Sequence, residues 1–311
     1  MHIGFAVPLA GSWATPDNQT ALARRAEELG YHSLWTFQRL LYPDDPAAAE
    51  EPRRWAPVYR SVHDPIVTLA FLAGVTTRVR LGVAVLNYPW YSPLLLAKMA
   101  TTLDTVSRGR LDLGLGLGWA SEEFAATATT PGRRGARAEE FVRALDAIWT
   151  QDVVEHRGEL GDLSGVRVDP KPVQRPRPPV LLGGTVEAAL RRAGRLADGW
   201  ISSSGQDLTT IRQSIEVVQA GAREAGRDPA ALRFVCRGVV RVRPAGGRGG
   251  RARRPLSGSY DEIRGDLAVL AEQGVTETFL DLNFDPEVGS PDADPAESLR
   301  RGHEVLEELT P

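Results

Sequence analysis

The sequence has almost no cysteine, almost no lysine and no long apolar run. Its single cysteine, Cys236, has no partner for an intrachain disulfide, which excludes the disulfide-framed scaffolds of oxidising compartments. It sits in the apolar run Arg233–Val240 with nothing nearby to lower its pKa, so a small strand hydrophobe is expected, not a nucleophile. No segment approaches ~18 unbroken apolar residues, and Met1–Pro8 lacks the basic start and apolar stretch of an export signal. A cytoplasmic protein without a membrane partner is therefore expected. The histidines are His2, His32, His63, His156 and His303, and no two have the spacing of metal ligands, so no metal is expected. A surplus of one charge is missing too: 37 Lys+Arg face 40 Asp+Glu. That balance removes the electrostatic case for nucleic acid and leaves a small molecule as the expected partner. Lys98 and Lys171 are the only lysines, a bias that reflects a GC-rich genome more than chemistry.

What the sequence does have is a beat of short apolar runs, each followed by a helical pattern. With 42% hydrophobic and 25% charged residues over 311 positions, it can bury a sizeable core. Strands are predicted at 3–8, 33–37, 79–86, 111–117, 179–183, 199–204, 233–241 and 278–283. Helices are predicted at 17–29, 64–75, 92–106, 135–150, 185–197, 208–225, 260–273 and 293–309. In the first helix Ala21, Leu22, Ala26 and Leu29 recur at helical spacing and Gly30 stops it. Continuous apolar runs such as Val79–Leu86 suit parallel strands covered on both faces. Eight βα units predict an α/β fold, a single (β/α)8 TIM-type barrel spanning 1–311, with an open doubly wound sheet as the alternative. Two stretches break the beat: proline-rich 151–178, read as an irregular insertion between strands 4 and 5, and Gly/Arg-rich 241–259, read as an unstructured loop.

In a parallel barrel the active site lies at the C-terminal strand ends, so the residues there are the candidates. They are Trp13 after the first strand, Gln38 and Arg39 after the second, and Asn87 and Trp90 after the third. Gly116, Leu117, Gly118, Trp119 and Glu122 follow the fourth, and Gly183, Gly184 and Thr185 the fifth. Leu113–Gly118 does not satisfy G-x-G-x-x-G, which argues against a Rossmann site, and no Gly-Lys-Ser/Thr follows Gly183, which excludes a P-loop. Gly183-Gly-Thr185 before a helical run offers backbone N–H groups suited to a phosphate. Tyr42, Trp55, Tyr59 and His63 are placed to reach the pocket from the next loop, with His63 expected to be structural.

The stretches Ala26–Trp35, Leu81–Asn87, Thr102–Leu111, Gly114–Trp119, Pro179–Gly184 and Ala197–Trp200, in this order, resemble the luciferase-like monooxygenase superfamily. The likeness is strongest to its branch using the deazaflavin coenzyme F420. It implies a homodimeric barrel with a tricyclic ring across the mouth. Ala84 and Val85 would form a bulge behind the ring, often a cis peptide. Gly116, Leu117 and Gly118 with Glu122 would contact ring and tail, and Gly183, Gly184 and Thr185 would cradle phosphate. Trp13, Asn87 and Trp90 would line the substrate pocket, with Gln38 and Trp119 at the catalytic positions. Many relatives carry an Asp-His pair where this chain has Gln38 and Arg39, neither a proton donor at neutral pH. Sugar-phosphate dehydrogenases of the family have an acid where Trp119 stands, which argues against that activity. The resemblance implies hydride transfer between reduced F420 and a small organic substrate. The alternatives are an FMN- and O2-dependent monooxygenase served by a separate reductase, or a noncatalytic cofactor-binding barrel.

Overall fold

The computed structural model describes residues 1–245 and 253–311. Eight parallel strands close into a barrel: β1 His2–Ala6, β2 Ser33–Thr36, β3 Arg80–Asn87, β4 Leu111–Gly116, β5 Val180–Gly183, β6 Gly199–Ile201, β7 Arg233–Val239 and β8 Glu277–Asp281. Each pairs with its sequence neighbours, and β8 closes on β1 through the His2–Glu277 register. The principal helices are α1 Pro16–Glu28, α2 Pro65–Val75, α3 Pro93–Val106, α4 Arg134–Thr150, α5 Glu187–Leu196, α6 Ile211–Glu224, α7 Tyr260–Glu272 and α8 Pro295–Glu308. The TIM-type barrel predicted from the beat is the fold observed.

Local chemistry sets the helix starts. Thr15, Asp64, Ser92 and Asp294 each accept a backbone N–H three residues on, with proline next in the chain, and Ser259 forms a capping box with Glu262. Such caps are worth about 1 kcal/mol each. The 151–178 insertion is irregular as expected, with a small hairpin pairing Arg157–Gly158 with Gly161–Asp162 and an isolated antiparallel bridge between Val154 and Val166. A short helix, Ser121–Ala126, between β4 and α4 was not expected. The expectation of an unstructured loop over 241–259 is corrected at its ends. Arg241–Val242 pairs in parallel with Ser257–Gly258, and residues 246–252 lie outside the described residues.

Inside the barrel Ala6, Trp35, Ala84, Leu181, Ile201, Val235 and Phe279 pack together, with Trp35 and Phe279 stacked at 5.0 Å. An ionic network closes the floor at the strands' N-terminal ends. Asp112, fully buried, accepts from Arg80 at 2.6 and 2.7 Å and from Arg233 at 2.6 Å. Arg233 also reaches Glu277 at 2.9 Å, which accepts from Trp35 Nε1 at 2.9 Å. Burial alone would raise the Asp112 carboxyl, but the two guanidinium groups hold it below the usual carboxylate range. With the floor sealed, chemistry is left to the other end.

Candidate active site

At the C-terminal ends of the strands lies a cavity of about 1030 Å³, at the top of the roughly 300–1,000 Å³ usual for small-molecule sites. Beneath it β3 departs from regular pairing: the register shifts between Val83 and Leu86, and the Ala84–Val85 peptide is cis. Ala84, Val85, Asn87, Gly116, Leu117, Gly118 and Trp119 all line the cavity, as do Gly183, Gly184 and Thr185.

The glycines of the β5 turn serve different ends. Gly184 has φ +150°, and a Cβ there would meet Ala189 Cβ at 2.5 Å, so the turn itself demands glycine. At Gly183 a Cβ would meet nothing closer than 3.6 Å, so the protein's own packing does not require glycine and the space opens to the cavity. Trp200 Nε1 donates to the Gly184 carbonyl at 2.9 Å and pins the turn. The following helix, α5, has no side-chain cap, leaving its first N–H groups beside the cavity-lining Val186 and Ala188. Unpaired amides at a helix start suit an anion.

Gln38, buried at the end of β2, is held at both ends. Its Oε1 accepts from Asn87 N at 2.9 Å and its Nε2 donates to Tyr91 Oη at 2.5 Å. Arg39 lines the cavity inside an aromatic box, its guanidinium carbon 4.7 Å from the Trp119 ring, 5.0 Å from Tyr59 and 5.6 Å from Trp55. It pairs at 3.1 Å with the fully buried Glu123, whose other oxygen accepts from Leu40 N at 2.7 Å. Burial raises the Glu123 carboxyl, against the pull of Arg39. Arg237 pairs with the buried Asp281 at 2.7 Å, donates to the Ala84 carbonyl at 3.3 Å, and lies 4.4 Å from the Phe284 ring. Burial pushes the Tyr59 phenol up, while Arg39 and Arg237 pull the other way.

Trp13, Trp90, Glu122, Tyr42, Trp55 and His63, all placed at the pocket from the sequence, lie outside the cavity lining. Trp13 is fully buried in the outer core against Gly302 of α8, not in the pocket. Trp90 is half-buried outside the cavity lining. Glu122 does not line the cavity, and it is Glu123, one residue on, that turns inward to Arg39. His63 is exposed and Tyr42 packs on Trp55; neither reaches the cavity. Cys236 is buried, and burial pushes its thiol up to about 12. Sequence reasoning named Arg39 and missed the other arginines. Nine line the cavity (Arg39, Arg53, Arg54, Arg133, Arg134, Arg192, Arg237, Arg241 and Arg254), with no Asp or Glu among the described lining residues.

Residues 3–277 match the family described as luciferase-like monooxygenase. An uncharacterized protein of Mycobacterium tuberculosis is 34% identical over 233 residues, 73% of this chain and 80% of that one. An FMNH2-dependent dimethylsulfone monooxygenase of Pseudomonas putida is 33% identical over 167 residues, 53% of this chain and 46% of that one. Among solved structures, monooxygenase RslO1 from Streptomyces bottropensis superposes with TM-score 0.77 at 23% identity, covering 99% and 98% of the two chains. An F420-dependent secondary alcohol dehydrogenase does so with TM-score 0.76 at 18% identity and the same coverage.

Proposed function

Because the chain belongs to the luciferase-like monooxygenase family, we propose that it is an oxidoreductase that binds the deazaflavin coenzyme F420 and moves a hydride between its ring and a small organic substrate. The observation that carries this reading is the nine-arginine lining without a carboxylate. Arg39, Arg54, Arg133, Arg192 and Arg237 pair with Glu123, Glu51, Glu159, Glu139 and Asp281, so among the described residues the excess positive charge belongs to Arg53, Arg134, Arg241 and Arg254. A cofactor with a long tail of phosphate and glutamates satisfies such a lining better than one ending in a single phosphate.

The residues present fit this group. Ala84, Val85 and Gly116–Gly118 would carry the ring, and Gly183–Thr185 with the uncapped start of α5 would take the phosphate. The empty space at Gly183 supports a ligand that approaches the backbone closely. When bound, the coenzyme supplies a hydride while reacting poorly with oxygen. The chain's own part is to orient and to exclude water. Gln38 braces Asn87 beside the bulge, and Trp119, Tyr59 and Phe284 line the cavity with aromatic surface that would exclude water. Gln38 and Arg39 leave Tyr59 Oη as the one titratable side-chain proton source other than arginine among the described lining residues.

The second reading, use of FMNH2 and dioxygen with a separate reductase, is favoured by the Pseudomonas putida relative. Anaerobic turnover separates the two. Reduced F420 oxidised under nitrogen by a member of a carbonyl and activated-alkene panel supports the first reading. Product formation only with FMNH2 and O2 overturns it. Binding of either cofactor without turnover leaves a noncatalytic barrel.

A further inference from the structure

The arginines along one stretch of chain divide according to where they point. Arg243 pairs with Asp285 at 2.7 Å and Arg253 with Asp266 at 2.6 Å, and neither lines the cavity. Arg241 and Arg254 do line it, and neither has a carboxylate partner among the described residues. Residues 246–252, outside that set, contain no Asp or Glu. Among the described residues the Arg241 guanidinium donates only to the Phe284 carbonyl, at 3.3 Å, and its Nε is buried without a partner there. Arg254 donates to the Ser204 carbonyl at 3.2 Å. Burial and, after it, the like charge of Arg241 hold the Arg254 guanidinium below its usual range. Ser203 and Ser204 line the cavity beside them, and their hydroxyls engage no described residue. Among these four arginines, then, the two that face away have counter-charges and the two that face the cavity have none among the described residues. Two adjacent cations without a counter-ion gain most from a bound anion.

We propose that Arg241 and Arg254, with Ser203 and Ser204, form a second anion subsite on the β6–β7 side of the cavity that takes a carboxylate or phosphate group. It lies apart from the Gly183–Thr185 turn after β5, and rests on the F420 reading only for what fills that turn. The anion has two sources, the acidic tail of the coenzyme or an acidic substrate.

Calorimetric titration of the full chain separates them. The variants are Arg241→Ala/Arg254→Ala and, as a charge-matched control, Arg300→Ala/Arg301→Ala on α8. The probes are F420, FMN, and succinate or inorganic phosphate added after saturation with whichever cofactor binds. If the tail is the source, the cavity variant loses about tenfold or more in F420 affinity, the scale of a lost charge-assisted hydrogen bond, and keeps that for FMN. If a substrate is the source, cofactor affinities hold, and succinate or phosphate binds the loaded wild type and control but not the cavity variant. Equal binding of every probe by all three proteins overturns the subsite. If neither cofactor binds the wild type, the F420 reading fails by itself. Phosphate titrated into the cofactor-free chains then decides the subsite, its loss in the cavity variant supporting it and equal binding overturning it. Unchanged thermal midpoints, expected from the single weak bond each arginine makes, show that the variants fold.

Discussion

Replacing Gly183 by alanine isolates the contribution of empty space. In most glycine turns an added methyl damages the fold before it touches a ligand. At Gly183 the nearest atoms to a Cβ, the Leu115 carbonyl oxygen and Val85 Cγ1, are both 3.6 Å away, ordinary contact distances, and its φ is not in the left-handed region. Alanine should therefore leave stability unchanged or raise it by up to about 1 kcal/mol through the unfolded chain's lost freedom. A ligand seated against the turn meets the methyl directly. Overpacking of this kind costs about 1–3 kcal/mol, which is roughly fivefold to 150-fold in affinity. Fluorescence titration of cofactor gives the affinity, and thermal melting gives the stability. Gly183→Ala with normal melting and normal affinity would refute the reasoning. Gly184→Ala is the contrast, since φ +150° and the Ala189 collision predict a lower melting point with or without ligand.

Three further outcomes follow from the structure. The exposed apolar face of Val67 and Phe71 on α2 with Leu95, Met99 and Val106 on α3 is proposed as the homodimer contact. Phe71→Glu should shift sedimentation from dimer to monomer, and an unchanged wild-type dimer would contradict that face. Asp112→Asn should destabilise the fold by about 3–5 kcal/mol by leaving Arg80 and Arg233 unbalanced. The Asp112 pKa is lower folded than unfolded, so its contribution is complete above the unfolded value of about 3.9 and fades as pH falls through the folded one. Denaturant titrations from pH 6 down to about 2 should show that limb in the wild type and lose its Asp112 part in the variant. Cys236 should react with a thiol reagent only after unfolding, since it is buried and its thiol is raised to about 12. Rapid labelling of the native chain would contradict this.

The barrel was legible because its strands are short continuous apolar runs and its helices carry a different period. Strand ends were read less well. The run predicted over 199–204 stops at Ile201, because Ser202–Ser204 leave the sheet to line the cavity. The glycine turns were legible because they follow the strands directly and a barrel fixes which end is the mouth. Side chains on connecting segments were not. Trp13 follows β1 in sequence, yet its loop folds back beneath α8. Glu122 and Glu123 are adjacent, but one step along a helix turns a side chain by about 100°, so without the helix phase the inward carboxylate could not be chosen. The pairs Arg39–Glu123 and Arg237–Asp281 join residues distant in the chain, and only closure of the barrel reveals which arginines are neutralised.

The most direct test of the account is the ratio of dissociation constants for F420 and FMN, measured by fluorescence at low and at physiological ionic strength. The four lining arginines without a carboxylate partner among the described residues, Arg53, Arg134, Arg241 and Arg254, predict tighter binding of F420 by about tenfold or more, with the gap narrowing as salt screens the longer acidic tail. Equal or tighter binding of FMN, independent of salt, would contradict it and place the chain with the FMNH2-dependent members of its family.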